Sequence, residues 1–209
     1  MKVKLIILIC IVAILSGCQG GAESKTSNET QTINQEDTES RSDDTKREDV
    51  DFRNAKWGDD IETVKKYEKE IELDGENEVL FGITKINSID SVACYYFDDG
   101  KLYEAGYVFA PQYANEGQYI SSYESMKELL IKKYGTPASD EIIPMEEQDM
   151  IDYVGPASAL NYGYVTYRTM WYDGDTEIGM IMYSENYDVN WGIVYSDKNY
   201  EKDIEDYGI

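Results

Sequence analysis

Val92-Ala93-Cys94-Tyr95-Tyr96-Phe97-Asp98-Asp99-Gly100-Lys101-Leu102-Tyr103-Glu104-Ala105-Gly106-Tyr107-Val108-Phe109 is two runs of aromatic and aliphatic residues on either side of an Asp-Asp-Gly turn signal. Aromatic and β-branched side chains suit a pleated, half-buried surface, and Asp-Gly supplies the backbone freedom of a tight turn. The stretch therefore predicts an antiparallel hairpin, 92–97 against 102–109. Just upstream, Val79–Ile86 reads as a third strand. Before it, Asp59-Asp60-Ile61-Glu62 has the form of a helix N-cap with an acid in the first turn. Ile61, Val64, Tyr67 and Ile71 continue that helix on one face until Gly75.

Downstream the pattern begins again. Ser121-Ser122-Tyr123-Glu124 has the form of a capping box, Tyr119, Tyr123, Met126, Leu130 and Tyr134 make a stripe, and Gly135 with Pro137 ends the helix. A mixed stretch over 140–159 leads to strand candidates at 162–171, 177–183 and 189–195, separated by Asp173-Gly174-Asp175 and by Asn186. Tyr95-Tyr96-Phe97-Asp98-Asp99-Gly100-Lys101-Leu102 is echoed by Trp171-Tyr172-Asp173-Gly174-Asp175-Thr176-Glu177-Ile178. Helix then antiparallel strands, twice, predicts an α+β fold of two helix-plus-antiparallel-β units in tandem, either separate or packed into one continuous antiparallel sheet, with the helices on one side of it. Unit one spans 51–111, unit two 118–198, and an acidic tail covers 199–209.

Trp57-Gly58-Asp59-Asp60-Ile61-Glu62-Thr63-Val64 resembles the helix start of α+β units of the β-lactamase inhibitory protein type, units that also occur in small lipoproteins of the outer-membrane barrel-assembly machinery. Lys133-Tyr134-Gly135-Thr136-Pro137 resembles the helix end of the same units. The resemblance spans 51–198 and implies a non-enzymatic role, binding other proteins through a sheet face. The chain departs from the inhibitory protein in lacking its two disulfides, and from the barrel-assembly lipoprotein in having two units rather than one.

The amino terminus carries an address. Lys2 and Lys4 precede an apolar run from Leu5 to Leu15, which Ser16, Gly17 and Cys18 close. A basic start, a short apolar core and a small-residue cleavage site make a secretory signal, and the run falls short of the ~20 residues a membrane span needs. Leu15-Ser16-Gly17-Cys18 resembles the bacterial lipobox. The resemblance implies cleavage between Gly17 and Cys18 and a lipid on Cys18, so that the chain sits on the extracytoplasmic face of a cell membrane. Two acyl chains on one cysteine hold stably without a second membrane signal. Residues 18–50 are Ser, Thr, Glu, Asp, Asn and Gln with almost no aliphatic residue, a composition that cannot bury enough surface to offset its ordering entropy. They read as an acidic tether with a root-mean-square reach of roughly 30 Å.

Charge narrows the partners. The chain holds 19 Lys plus Arg against 42 Asp plus Glu, a formal net charge of −23, and loss of residues 1–17 removes Lys2 and Lys4 and no acid, leaving −25. Nucleic-acid phosphates and anionic lipid both demand clustered cations, so neither is expected as a partner. There is no histidine. That removes Ser-His-Asp and Cys-His catalysis and histidine metal sites. Of three cysteines, Cys10 leaves with the signal and Cys18 takes the lipid. Cys94, inside an apolar run, reads as a small buried hydrophobe, so no intramolecular disulfide is expected.

Other candidate chemistry competes with plainer readings. Asp98-Asp99 and Asp173-Gly174-Asp175-Thr176-Glu177 offer oxygens to calcium, but their spacing fails the EF-hand pattern and Asp-Gly is what a hairpin needs, so no metal or cofactor is expected. Glu146-Glu147 and Asp149 with Asp152 could serve glycoside hydrolysis only if held across a cleft with one raised pKa, and in so acidic a chain neighbouring carboxylates arise by chance. The compositional oddity is aromatic: 19 Tyr and three Trp. One parity of each strand must face the helices, which leaves rings of the other parity facing water. Some of Tyr95, Tyr103, Tyr107, Tyr164 and Tyr172 are therefore expected to be exposed and contiguous, as a contact face. The resulting expectation is a membrane-anchored lipoprotein acting as a non-enzymatic module that binds another extracytoplasmic protein. The alternatives are a small-ligand or glycan receptor and, behind it, a carboxylate-based hydrolase.

Overall fold

The computed structural model describes residues 47–75 and 78–200, all of which lie within one compact unit, 41–209. The lipobox, Gly17, Cys18, most of the tether and residues 201–209 of the acidic tail lie outside the described residues.

Within them the chain builds a seven-stranded antiparallel sheet in the order β1-β2-β3-β7-β6-β5-β4. The strands are β1 (Val79–Ile86), β2 (Ile89–Asp98), β3 (Lys101–Phe109), β4 (Ser139–Pro144), β5 (Val165–Asp173), β6 (Thr176–Glu185) and β7 (Asp188–Asp197). Four helices accompany them: α1 (Ile61–Tyr67), α2 (Gly117–Tyr134), α3 (Gln148–Val154) and α4 (Pro156–Asn161). The hairpin that opened the sequence reading is β2–β3, with Asp99 and Gly100 both at positive φ between the paired Asp98 and Lys101. Two positive φ values match the right-handed twist of the flanking strands. Asn87-Ser88 and Asn186-Tyr187 turn their hairpins in the same way.

The core lies against one sheet face. On β5, Val165, Tyr167, Thr169 and Trp171 are buried at alternate positions, as are Thr176, Ile178, Met180 and Met182 on β6. Helix α2 lays Tyr123, Met126 and Leu130 on this face. The Tyr123 hydroxyl donates to the Met180 carbonyl at 3.1 Å and meets Thr169 Oγ1 at 2.9 Å. Gly135 caps α2 at φ +83°, and its carbonyl accepts the Trp171 indole N–H at 3.0 Å. Helix α2 reaches β7 as well, through Tyr123 to Trp191 and Tyr134 to Tyr195, and over β2 and β3 the segment before α1 completes the cover. Phe52 packs on Tyr95, Tyr107 and Tyr195. Below it Glu68 is buried, accepting from the Asn54 backbone N–H at 2.9 Å and pairing with Arg53 Nε at 3.1 Å.

The expected architecture of two helix-plus-sheet units in tandem, helices on one side, is therefore overturned. The halves do join into the continuous sheet that was one form of the expectation, because β3 pairs with β7 from Glu104↔Ser196 to Phe109↔Trp191, but they are not two like units. The first half supplies three strands and a seven-residue helix, whereas the second supplies four strands and three helices, with α3 and α4 inserted between β4 and β5. The first predicted helix stops at Tyr67, so Ile71 lies outside it, and the Phe52 segment covers the strands in its place. The echoed Tyr95–Leu102 and Trp171–Ile178 stretches mark two hairpins, and a hairpin signal carries no information beyond its own two strands.

Candidate functional site

The structure spreads the five tyrosines named for a contact face over different surroundings. Tyr95 is fully buried under Phe52. Tyr107 lies half-buried on the same core face, also against Phe52. Tyr103 sits where the β2–β3 register shifts and stacks on Tyr200 at 4.3 Å. Tyr172 is 52 % exposed, and the Lys198 ammonium lies 5.3 Å from its ring centre. Tyr164 is half-buried beside Tyr162, centroids 5.5 Å apart. Helices alone do not claim the inward positions of the strands. The aromatic segment before α1 claims part of them.

Exposed apolar surface gathers elsewhere. Among the described residues the exposed large hydrophobics are Ile83, Leu129, Ile131, Ile142, Met145, Met150, Tyr153, Tyr162, Tyr172 and Tyr187. Four of these ten lie on or beside one sheet edge, Ile142 and Met145 at the end of β4 and Met150 and Tyr153 on α3, while Tyr162 after α4 lies 6.1 Å from Tyr187 in the β6–β7 turn. Isolated exposed hydrophobics need no explanation, but a cluster does.

The cluster borders a groove of about 500 Å³. Ile142 and Pro144 of β4, Ile151 of α3, Pro156 and Ala159 of α4, and Val165 and Tyr167 of β5 make its apolar lining. Gln148 and Asp152 are its polar lining, joined to each other by a 2.8 Å hydrogen bond. Local sequence explains the shape. Pro144 ends β4, and a proline without an N–H is tolerated on an edge strand. Gly155, at φ +79°, closes α3 and opens α4, with Pro156 in the first turn, where its lack of a donor costs nothing. Gly155 thus separates the two short helices. Ala159 is buried with no side chain beyond Cβ.

The opposite sheet face carries a second apolar surface. Phe81, Cys94, Gly106, Val194, Gly179 and Met170 stand in one row across six strands. Ile83, Val92, Val108, Gly192, Ile181 and Arg168 form the next row, in which Ile83 is 83 % exposed. A Cβ on Gly106 would fall 2.4 Å from the Ile193 carbonyl oxygen, so the closeness of β3 and β7 requires that glycine. Cys94 is buried on this face, and burial pushes its thiol up to about 11, well away from a reactive thiolate.

The groups weighed for chemistry stay apart. Glu146, Glu147, Asp149 and Asp152 are exposed on and before α3 rather than facing one another across a cleft. Asp98, Asp99, Asp173 and Asp175 sit at hairpin ends, and among the described residues no three His, Cys, Asp or Glu side chains gather to hold a metal ion. The most perturbed polar groups are structural. Burial disfavours the charge on Arg53, but the Tyr107 hydroxyl and the negative charge of Glu68 outweigh it and hold the guanidinium above its ordinary value. Burial, then Glu68, raises the Tyr95 hydroxyl. This cluster fastens the Phe52 segment to the sheet.

Comparison with protein-family models, with curated proteins and with solved structures returns no match. The edge groove is hard to read in the sequence because β4, α3 and α4 lie almost wholly in the mixed stretch 140–159. Its signal was the density of Ile, Met and Tyr among acids there.

Proposed function

We propose that this chain is a membrane-anchored extracytoplasmic lipoprotein whose folded part is a non-enzymatic protein-binding module. The observation that carries the reading is the concentration of exposed large hydrophobics around the groove between β4, α3 and α4. Interfaces are anchored by a few aromatic and aliphatic side chains entering apolar pockets, with polar groups at the rim, and this edge has both parts. The Leu15-Ser16-Gly17-Cys18 motif supports the anchor, and the acidic composition of 18–50 supports a tether that frees the edge from the bilayer.

A glycan or small-ligand receptor is the second reading. Tyr162, Tyr164 and Tyr187 favour it, as grouped rings on which an apolar sugar face could stack. Against it, only Gln148 and Asp152 bring polar groups into the groove, too few to fix the orientation of a small ligand.

Site-specific photo-cross-linking in the producing cells tests the proposal. A photoreactive residue at Tyr153 or Met150 is expected to capture one defined protein, whereas the same residue at Glu62 on α1 captures none. Equal capture at all three positions, or none at any, overturns the reading.

A further inference from the structure

We infer that the groove between β4 and α3 receives a basic, apolar-anchored segment of the partner polypeptide; this rests on the protein-binding reading above. The lining asks for apolar side chains, and Ile142, Met145, Met150 and Tyr153, between 47 % and 88 % exposed, extend that request beyond its mouth. Charge decides what flanks them. From Tyr134 to Tyr167 the chain contains no Lys or Arg, but it holds Asp140, Glu141, Glu146, Glu147, Asp149 and Asp152.

Some of these acids are already engaged. Asp140 pairs with Lys127 at 2.9 Å, Glu141 pairs with Arg168, and Asp152 accepts from Gln148. Glu146, Glu147 and Asp149 make no ion pair among the described residues. An acid in the first turn of α3 gains from the helix dipole, which accounts for Asp149. The same dipole favours Glu147 at the N-cap, although its side chain makes no capping bond, but it leaves Glu146 before it without a structural reason. An apolar cleft with an unneutralised acidic rim complements a segment that alternates apolar anchors with Lys or Arg. Complementary charge of this kind speeds encounter and rejects acidic competitors.

The test uses the full-length lipidated chain in phosphatidylcholine nanodiscs and a fluorescent amphipathic peptide of Leu and Lys. The peptide is expected to bind at least about tenfold more tightly than Leu/Glu or Ser/Lys counterparts. Reversal of the rim by E146K/E147K/D149K is expected to weaken it by about tenfold or more. E62K/E72K/E78K changes net charge equally but lies elsewhere, and is expected to cost less than about threefold. Equal losses in the two triple variants, or Ser/Lys binding as tightly as Leu/Lys, overturn the inference. The cross-linked partner separates this failure from failure of the parent reading. If Tyr153 captures a protein through a neutral or acidic segment, the module binds protein but the basic occupant is wrong; if it captures a basic segment, both stand.

Discussion

The ring of Phe52 stands edge-on to that of Tyr95, centroids 5.3 Å apart and planes 71° to each other. The contact joins the segment before the first helix to the middle of the second strand. It also puts inside the molecule a tyrosine that strand alternation alone leaves unassigned to either face. The same phenylalanine touches Tyr107 and Tyr195, so one side chain seals three strands.

Replacing Phe52 by alanine is expected to cost about 3–5 kcal/mol, the range for truncating a buried aromatic. Urea unfolding followed by tryptophan fluorescence measures it. A loss below about 1 kcal/mol means that the segment before α1 is not part of the core.

Glu68 and Arg53 form a pair with the carboxylate side chain fully buried. Glu68→Ala leaves the guanidinium only one acidic partner, the exposed Glu70, 3.2 Å away, and is expected to destabilise by about 2–4 kcal/mol. Arg53→Met with Glu68→Met removes both charges and is expected to be milder than Glu68→Ala alone. If the double variant is the worse of the two, the pair stabilises by attraction rather than by mutual neutralisation.

Alkali should unfold the domain through its buried tyrosines. Burial raises Tyr95, Tyr107, Tyr123 and Tyr195 above 10.0, and Tyr134 adds to the effect on Tyr195. In the unfolded chain they titrate near the ordinary value. The stability they supply is thus complete below about pH 10 and is lost as pH rises beyond it toward the folded-state values. Urea midpoints are expected to hold steady between about pH 7 and 9 and to fall steeply above about 10. Tyrosinate absorbance should rise together with unfolding, and a rise of all tyrosines ahead of unfolding contradicts the burial.

Cys18→Ala is expected to release the chain from the membrane fraction and to abolish the mass increment of the lipid. Intact-mass analysis and fractionation read both. A processed Cys18→Ala chain that stays on the membrane removes the lipoprotein reading.

The turns were legible because their physics is local. Asp98-Asp99-Gly100, Asp173-Gly174-Asp175 and Asn186 mark hairpins that form where they were expected, each needing only residues able to reverse the chain. The helix α2 was legible through its stripe and its Gly135 stop, although it begins at Gly117 rather than at the Ser121 capping box. β4 was not: Ser139-Asp140-Glu141-Ile142-Ile143-Pro144 is acidic and ends in proline, so it lacks the alternation that identifies a strand. It is held by pairing with β5 from Ser139↔Met170 to Pro144↔Val165, and an edge strand needs only one partner. Helices α3 and α4 escaped notice for a related reason, since six or seven residues are too few to display a helical period.

By itself the sequence determined the hairpins, the apolar stripe of α2, the acidic character of the surface and the absence of any histidine chemistry, because each depends on residue type or on neighbours within a few positions. Only the tertiary structure decided that β3 would pair with β7, that Phe52 rather than a helix would cover Tyr95, and that the exposed hydrophobics would meet at the edge of β4. Those outcomes turn on which surfaces, up to about a hundred residues apart, exclude water best together, and no local window records that competition.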